Sequence, residues 1–320
     1  MDPITHGFSG ILISRTGFYQ RWGRAASITF VAGALIPDID HFTLRLAGPV
    51  AYLKYHRGFT HSIIGIIPLA LIIAFIVPMF FKQIRGKADY LTFAGMSALG
   101  IGTHIFLDII TSYGTQVFFP FDTSRYSLDL VFIIDPYFSL IFILPPLLWI
   151  FMKDRAKMIA FTAIILIAAY LTMAYVFKGI AVHRAEKEAA GMSINPSRVE
   201  AVPLPFSPFK WSVFVEDKDK FYQMNVDILR DKISKEAFDK VSAQDDIIKK
   251  AETLEVVKIY RWFARFPVIT AVELGDDYVI EYYDIRFNSM PPRKPFLLKV
   301  VLNKNGSFKE GELSFHSIKP

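Results

Sequence analysis

Residues Ser62–Phe81 read SIIGIIPLALIIAFIVPMFF, twenty consecutive positions without one ionisable side chain. About 20 apolar residues, at 1.5 Å of rise each, is what a helix needs to cross the ~30 Å hydrocarbon core of a bilayer. Three more stretches reach that length: Tyr90–Thr111, Leu130–Met152 and Lys157–Phe177. Two shorter apolar stretches precede them, roughly Thr5–Phe18 and Ala25–Pro37. Each gives only about 20 Å of helix, enough for a thin hairpin or for re-entrant segments shielded by protein. Residues 1–180 therefore read as an α-helical integral membrane domain of about six helices, two of them short.

Bulk composition agrees. Of 320 residues, 52% are hydrophobic and 15% aromatic, and the mean hydropathy is +0.34. The net charge of +6 does not point to nucleic acid, because the basic residues of this region cluster between spans, where they set orientation. Arg15, Arg21 and Arg24 separate the two short helices. Lys82, Arg85 and Lys87 follow the first full span, and Lys153, Arg155 and Lys157 lie between the last two. With all three clusters cytoplasmic, the chain starts outside, crosses six times and delivers its C-terminal part outside. The opening MDPITHG lacks a basic region and carries Asp2 and His6, so no cleavable signal peptide is expected. Cysteine is absent, which excludes disulfides, thiolate zinc sites and Cys nucleophiles.

The pattern changes after Phe177. Arg184–Gly191 reads as a polar continuation of the last helix, and Pro196, Pro203, Pro205 and Pro208 mark a linker, so 181–195 is taken as helix extension and linker. Alternation at Phe209–Val215, Val279–Ile285 and Phe296–Leu302 predicts strands, and helical spacing runs through Asp245–Phe263. Residues 196–320 thus form one small α+β soluble domain.

The six-crossing orientation carries Asp2/His6, Pro37–His41, His56–His61, the His104/Asp108 helix end, Asp129 and Asp135 to one membrane face. His104 and Asp108 stand four apart in an apolar span, hence on one helix face, and ionisable groups there point to function. A satisfied polar pair tying helices together is the plainer account. Asp38, Asp40 and His41 put three donors within four residues, and an extended backbone would aim both aspartates alike; the plainer account is a capping loop. His56 and His61 straddle Gly58 at the mouth of a span, with Arg57 beside them to neutralise an anion and Thr60 or Ser62 free to cap. Asp2 and His6 fit helix-start capping as well as ligation. In the polar segment Thr111–Tyr137, Arg125 and Asp129 would pair if helical, and Asp135 needs a metal, an arginine or backbone N–H groups as partner. A folding-only account needs separate reasons for each of these groups, whereas a metal site needs one. The residue set for it is His6, Asp38, Asp40, His56, His61, His104 and Asp108.

The ordered motifs MDxxTH (Met1–His6), PDxDH (Pro37–His41), HRGxTHS (His56–Ser62), HxxxDxxTSYGT (His104–Thr115) and PFxxxRYSLD (Pro120–Asp129) resemble the YdjM-like family of bacterial membrane-bound predicted metal-dependent hydrolases. The likeness covers roughly the first 180 residues. It implies a multi-pass protein of the cytoplasmic (inner) membrane with a hydrolase-like metal site. More loosely, the pattern is similar to zinc-dependent phospholipases C, by which Asp38 or Asp40, His56 or His61, His104 and Asp108 would form the core.

Function is therefore expected to be metal-dependent hydrolysis at the outer face of the inner membrane. Zn²⁺ is the expected metal from the His/Asp mix, with Mn²⁺ or Fe²⁺ as alternatives. Asp40 or Asp129 is the expected general base and Arg57 or Arg125 the stabiliser of developing charge. A site at headgroup depth suits a lipid or lipid-linked phosphoester, with the bilayer as partner and no nucleic acid. The rival expectations are an ion-binding, transporter-like protein and a non-catalytic scaffold with a structural metal.

Overall fold

The computed structural model describes residues 1–81, 86–242, 245–288, 294 and 296–314; Lys82, Arg85 and His316 lie outside them. The chain divides into two compact units, Met1–Thr43 with Tyr55–Val176, and Leu44–Lys54 with Phe177–Pro320.

The first unit is helical. It contains α1 (Pro3–Ser14), α2 (Phe18–Trp22), α3 (Arg24–Leu35), the start of α4 (Ile39–Leu46), the last residue of α5 (Pro49–Tyr55), α6 (Ile63–Ile76), α7 (Lys87–Ile109), α8 (Pro136–Phe151) and most of the apolar part of α9 (Ala156–Gly191). Local chemistry sets the starts. Asp2 caps α1 by accepting from the Thr5 N–H at 2.9 Å, with Pro3 in the first turn, and Ser62 caps α6 by accepting from Gly65 at 3.0 Å.

Among the described residues, three helical stretches are long and apolar enough to cross a membrane: Ile63–Phe80, Lys87–Ile109 and Lys153–Gly191. The expected span Leu130–Met152 is shorter in the structure, as α8 begins only at Pro136. The reason is local. The N–H groups of Leu130 and Val131 donate to the Ile110 carbonyl at the end of α7, and Asp135 caps α8 by accepting from Tyr137 and Phe138. Asp135 also accepts from the Tyr170 hydroxyl at 2.7 Å, which ties α8 to α9. Its partners are thus backbone N–H groups and a phenol. The segment between α7 and α8 has no helix, so the premise for pairing Arg125 with Asp129 at helical spacing fails; Arg125 donates to the carbonyls of Gly114 and His56.

Glycines let α1, α3 and α7 meet backbone to backbone. A Cβ on Gly10 would lie 2.7 Å from the Phe30 carbonyl oxygen, one on Gly100 2.9 Å from the same atom, and one on Gly33 2.7 Å from the Ser97 carbonyl oxygen. Lipid supplies no hydrophobic drive for helices to associate, so close packing of small residues has to hold them. Phe30, Phe93, Met96 and Ile101 fill the remaining space.

In the second unit, β1 (Arg198–Pro203), β2 (Lys210–Glu216), β3 (Lys220–Asp227) and β4 (Lys232–Asp239) form an antiparallel sheet in sequence order. A second sheet orders β5 (Val241–Ser242), β6 (Pro267–Leu274), β7 (Asp277–Asp284), β8 (Leu297–Asn303) and β9 (Phe308–Ser314), with β5 parallel to β6 and the rest antiparallel. Strand β2 is buried on both faces, so the two-residue period divides its side chains. Trp211, Val213 and Val215 pack with Ala181, Ala185 and Ala189 of α9, while Phe214 joins Phe266, Val268 and Leu297 between the sheets. The expected Asp245–Phe263 helix is two helices, α10 (Asp245–Ala251) and α11 (Glu255–Phe263), because Leu254 is extended between them.

Gly33→Ala or Gly100→Ala should lower the thermal midpoint in detergent, since overpacking typically costs about 1–3 kcal/mol. Gly95→Ala, where a Cβ meets nothing within 4 Å, should leave it unchanged or raise it slightly. Equal effects at all three positions would contradict the packing described.

Candidate metal centre

Asp38 closes a 3-10 turn, Ile36–Asp38, and Asp40 sits in the first turn of α4. The backbone here is helical, so the two carboxylates are aimed differently, contrary to the extended expectation. Asp38 meets His61 and His104, and Asp40 meets His56 and His61. His61 ends another 3-10 turn, Phe59–His61, just before the Ser62 cap. His104 and Asp108 lie one turn apart on α7, both fully buried.

One donor atom from each of Asp38, His61, His104 and Asp108 falls within 4.8 Å of all the others. The Nε2 atoms of His61 and His104 face each other at 3.1 Å. Asp38 Oδ1 lies 3.5 and 3.6 Å from them, and Asp108 Oδ2 3.3 and 3.5 Å. Four ligands about 2.0–2.2 Å from one Zn²⁺ in a tetrahedron stand about 3.3–3.6 Å apart. Five of the six separations, 3.1–3.6 Å, fall at or near that spacing, and the sixth, between Asp38 and Asp108, is within 4.8 Å. Asp108 Oδ2 is buried without a well-directed hydrogen bond and is approached by the ring nitrogens of His61 and His104, a setting that favours a cation there.

Surrounding groups orient the four. His104 Nδ1 lies 2.6 Å from the Ala34 carbonyl, which fixes that nitrogen as the N–H donor and leaves Nε2 as a lone-pair donor. His61 Nδ1 faces the Thr60 hydroxyl at 2.9 Å and Asp40 at 3.4 Å. Asp40 also meets His56 Nδ1 at 2.9 Å and accepts from the Thr60 hydroxyl at 2.8 Å and the Arg57 N–H at 3.1 Å. Burial works against charge on Asp38 and Asp40, yet hydrogen bonds from the imidazoles hold both carboxyls below their ordinary range. Burial likewise opposes a charged His61, but Asp108, Asp38 and Asp40 outweigh it and raise that imidazole to about 10. The same burial takes His56 down to about 4 against the pull of Asp40. These carboxylates together favour a positive charge at the centre.

Other expected site residues stand apart from the four. Asp40 and His56 form the supporting layer just described. Arg57, in a left-handed backbone conformation (φ 58°), is buried, with its guanidinium 2.8 Å from Asp108 Oδ1 and donating to Thr111 at 3.3 Å. His6 stacks on His104 at 3.7 Å with Nε2 3.3 Å from Asp108 Oδ1, an oxygen that the Met1 amino group also contacts. Asp129 is buried, with the Ser127 hydroxyl at 3.3 Å. Sequence reasoning missed the Ala34 carbonyl, which no residue type can announce. It also read Thr60 only as a possible cap, although the placement of Thr60 between two histidines was a usable signal.

A family model described as YdjM inner membrane protein matches residues 1–181. The chain belongs to that family. Among curated relatives of this YdjM member, the uncharacterized protein YfhP of Bacillus subtilis (strain 168) is 34% identical over 144 residues, 43% of this chain. That match spans 42% of the relative's own length. No solved structure matches.

His104→Ala and Asp108→Ala should each lower bound divalent metal, read by elemental analysis of purified protein. Asp40→Ala should weaken binding about 10–100-fold, as loss of a ligand's supporting partner does, and the direct ligands at least as much. His183→Ala, in the exposed part of α9, is the silent control. Unchanged metal content in the first three variants would remove the site.

Proposed function

We propose that this protein is a membrane-bound, metal-dependent hydrolase acting at the outer face of the bacterial inner membrane on a lipid or lipid-linked phosphoester. The observation that carries the reading is the spacing of Asp38, His61, His104 and Asp108, which suits one tetrahedral cation. Zn²⁺ is the metal this donor set favours, with Mn²⁺ or Fe²⁺ also accommodated. When bound, such a cation lowers the pKa of water and polarises an ester or phosphoryl oxygen. The chain's own residues prepare the site for it. Ala34 and Asp40 fix the two ligand imidazoles, and Arg57 holds Asp108 in place. Asp40 is engaged by four neighbouring groups, which suits it to positioning rather than to taking a proton from water. His56, neutral by burial and hydrogen-bonded to Asp40, becomes the stronger candidate base.

One observation favours the second reading, a scaffold with a structural metal: four protein donors are what closed structural sites have. Against it, the Asp38 side chain is 24% exposed while the other three are fully buried, so the cluster reaches the surface at Asp38. His61, His104 and Asp108 would hold the cation from the buried side, and Asp38 would hold it from the exposed edge, where a catalytic site needs access for substrate.

Multi-pass topology is part of the proposal, with α1 and α3 as short crossings and the three basic clusters cytoplasmic. A reporter fused after Pro320 should be non-cytoplasmic, and one inserted near Arg85 cytoplasmic. A cytoplasmic C-terminus would overturn the six-crossing arrangement and the face given to the site.

Catalysis is tested on a panel of phosphoesters, phospholipids and carboxylic esters. Metal-loaded wild type should turn over at least one of them, and His104→Ala none. His56→Ala should keep the metal and slow turnover by about 10²–10⁴, the usual worth of a positioned acid–base group. If the loaded wild type is no faster than His104→Ala on every ester, the scaffold reading replaces this one.

A further inference from the structure

Helix α4 presents an exposed apolar face. Ile39, Phe42 and Leu46 fall on one side at helical spacing and are 50%, 71% and 92% exposed, and Arg45 flanks them, also exposed. The opposite side carries Asp40, buried in the metal centre. A solvent-facing helix shows the reverse arrangement, with its large apolar groups inward.

We infer that α4 lies in the interfacial plane of the bilayer, with Ile39, Phe42 and Leu46 inserted among the upper acyl chains and Arg45 reaching back to the headgroup phosphates. Two observations select lipid as the occupant. First, exposed large apolar side chains of the same kind (Ile63, Ile64, Ile67, Leu71 and Phe75) mark the stretch Ile63–Phe80, which is long and apolar enough to cross a membrane in this inner-membrane family. Secondly, three large apolar groups with a flanking cation on an eight-residue helix is the composition of an interfacial segment, too short to span. The consequence concerns substrate. Asp38 and Asp40 sit in the turn that starts α4, so the depth of this helix sets the depth of the metal centre at the headgroup layer. A substrate then reaches Asp38, the exposed edge of the cluster, laterally from the membrane rather than from bulk water. This last step rests on the hydrolase reading; the placement of α4 does not.

The natural absence of cysteine makes the test direct. Single variants Ile39→Cys, Phe42→Cys and Leu46→Cys carry a nitroxide label in full-length protein reconstituted into phosphatidylethanolamine–phosphatidylglycerol vesicles. Phe75→Cys serves as the acyl-chain reference and Glu186→Cys, exposed on the polar end of α9, as the aqueous reference. Accessibility to oxygen, relative to that of a water-soluble nickel chelate, should be several-fold above the Glu186 label at all three α4 positions and below the Phe75 label. Values equal to the Glu186 reference would overturn the inference. So would dipolar broadening of the Phe42 label that disappears on dilution with unlabelled protein, because a second copy would then cover this face. Metal content measured on the same samples keeps the two proposals apart: an aqueous α4 with normal metal loading refutes the membrane contact alone, and a lipid-immersed α4 without metal refutes the hydrolase alone.

Discussion

A carboxylate entirely removed from water must be met by positive charge, and Asp108 is such a carboxylate. Its Oδ1 is contacted by Arg57, His6 and the Met1 amino group, and its Oδ2 by the ring nitrogens of His61 and His104. Those contacts draw on α1, α7 and the turns between α5 and α6. Segments far apart in the chain are thus obliged to converge at one level of the helix bundle. The same demand explains Arg57, whose left-handed backbone turns its N–H toward Asp40 while its guanidinium reaches Asp108. One residue thus touches both Asp40, beside the candidate centre, and Asp108 within it.

The helical membrane part was largely legible because a span announces itself by length and apolarity alone. Ser62–Phe81 and Lys157–Phe177 need no tertiary information to be read. Where the reading went astray, tertiary hydrogen bonds decided the outcome. Leu130 and Val131 look like the start of a helix until the Ile110 carbonyl takes their N–H groups, and the helical spacing read into Arg125 and Asp129 fails because the backbone there is irregular. In the sheet-rich part the alternation of β2, β7 and β8 was visible. Strand β4 was not, because an edge strand with mostly polar, exposed residues carries no alternation of burial to read.

The centre was legible as a set of residues and not as an assignment. Seven candidate ligands are named by type and motif, but which of them face one point depends on turns of two or three residues. Asp38 and Asp40 differ by a helical rotation, as do the two sides of the Phe59–His61 turn, and period counting cannot resolve rotations within such short elements. The structure groups four possible donors within 4.8 Å of one another and puts Asp40, His56 and Arg57 around them.

The crossing of α3 and α7 carries a further consequence. Gly33 precedes Ala34, whose carbonyl orients His104, and Gly100 sits one turn before His104 on the opposing helix. The hydrogen bond that selects the tautomer of His104, a candidate ligand, is thus set by the distance between two peptide backbones. Sequence drift would therefore meet its tightest limits at positions that carry no functional group. The exposed leucines and isoleucines of the apolar stretches could exchange freely among themselves, while a single added methyl at either glycine would shift the imidazole it never touches.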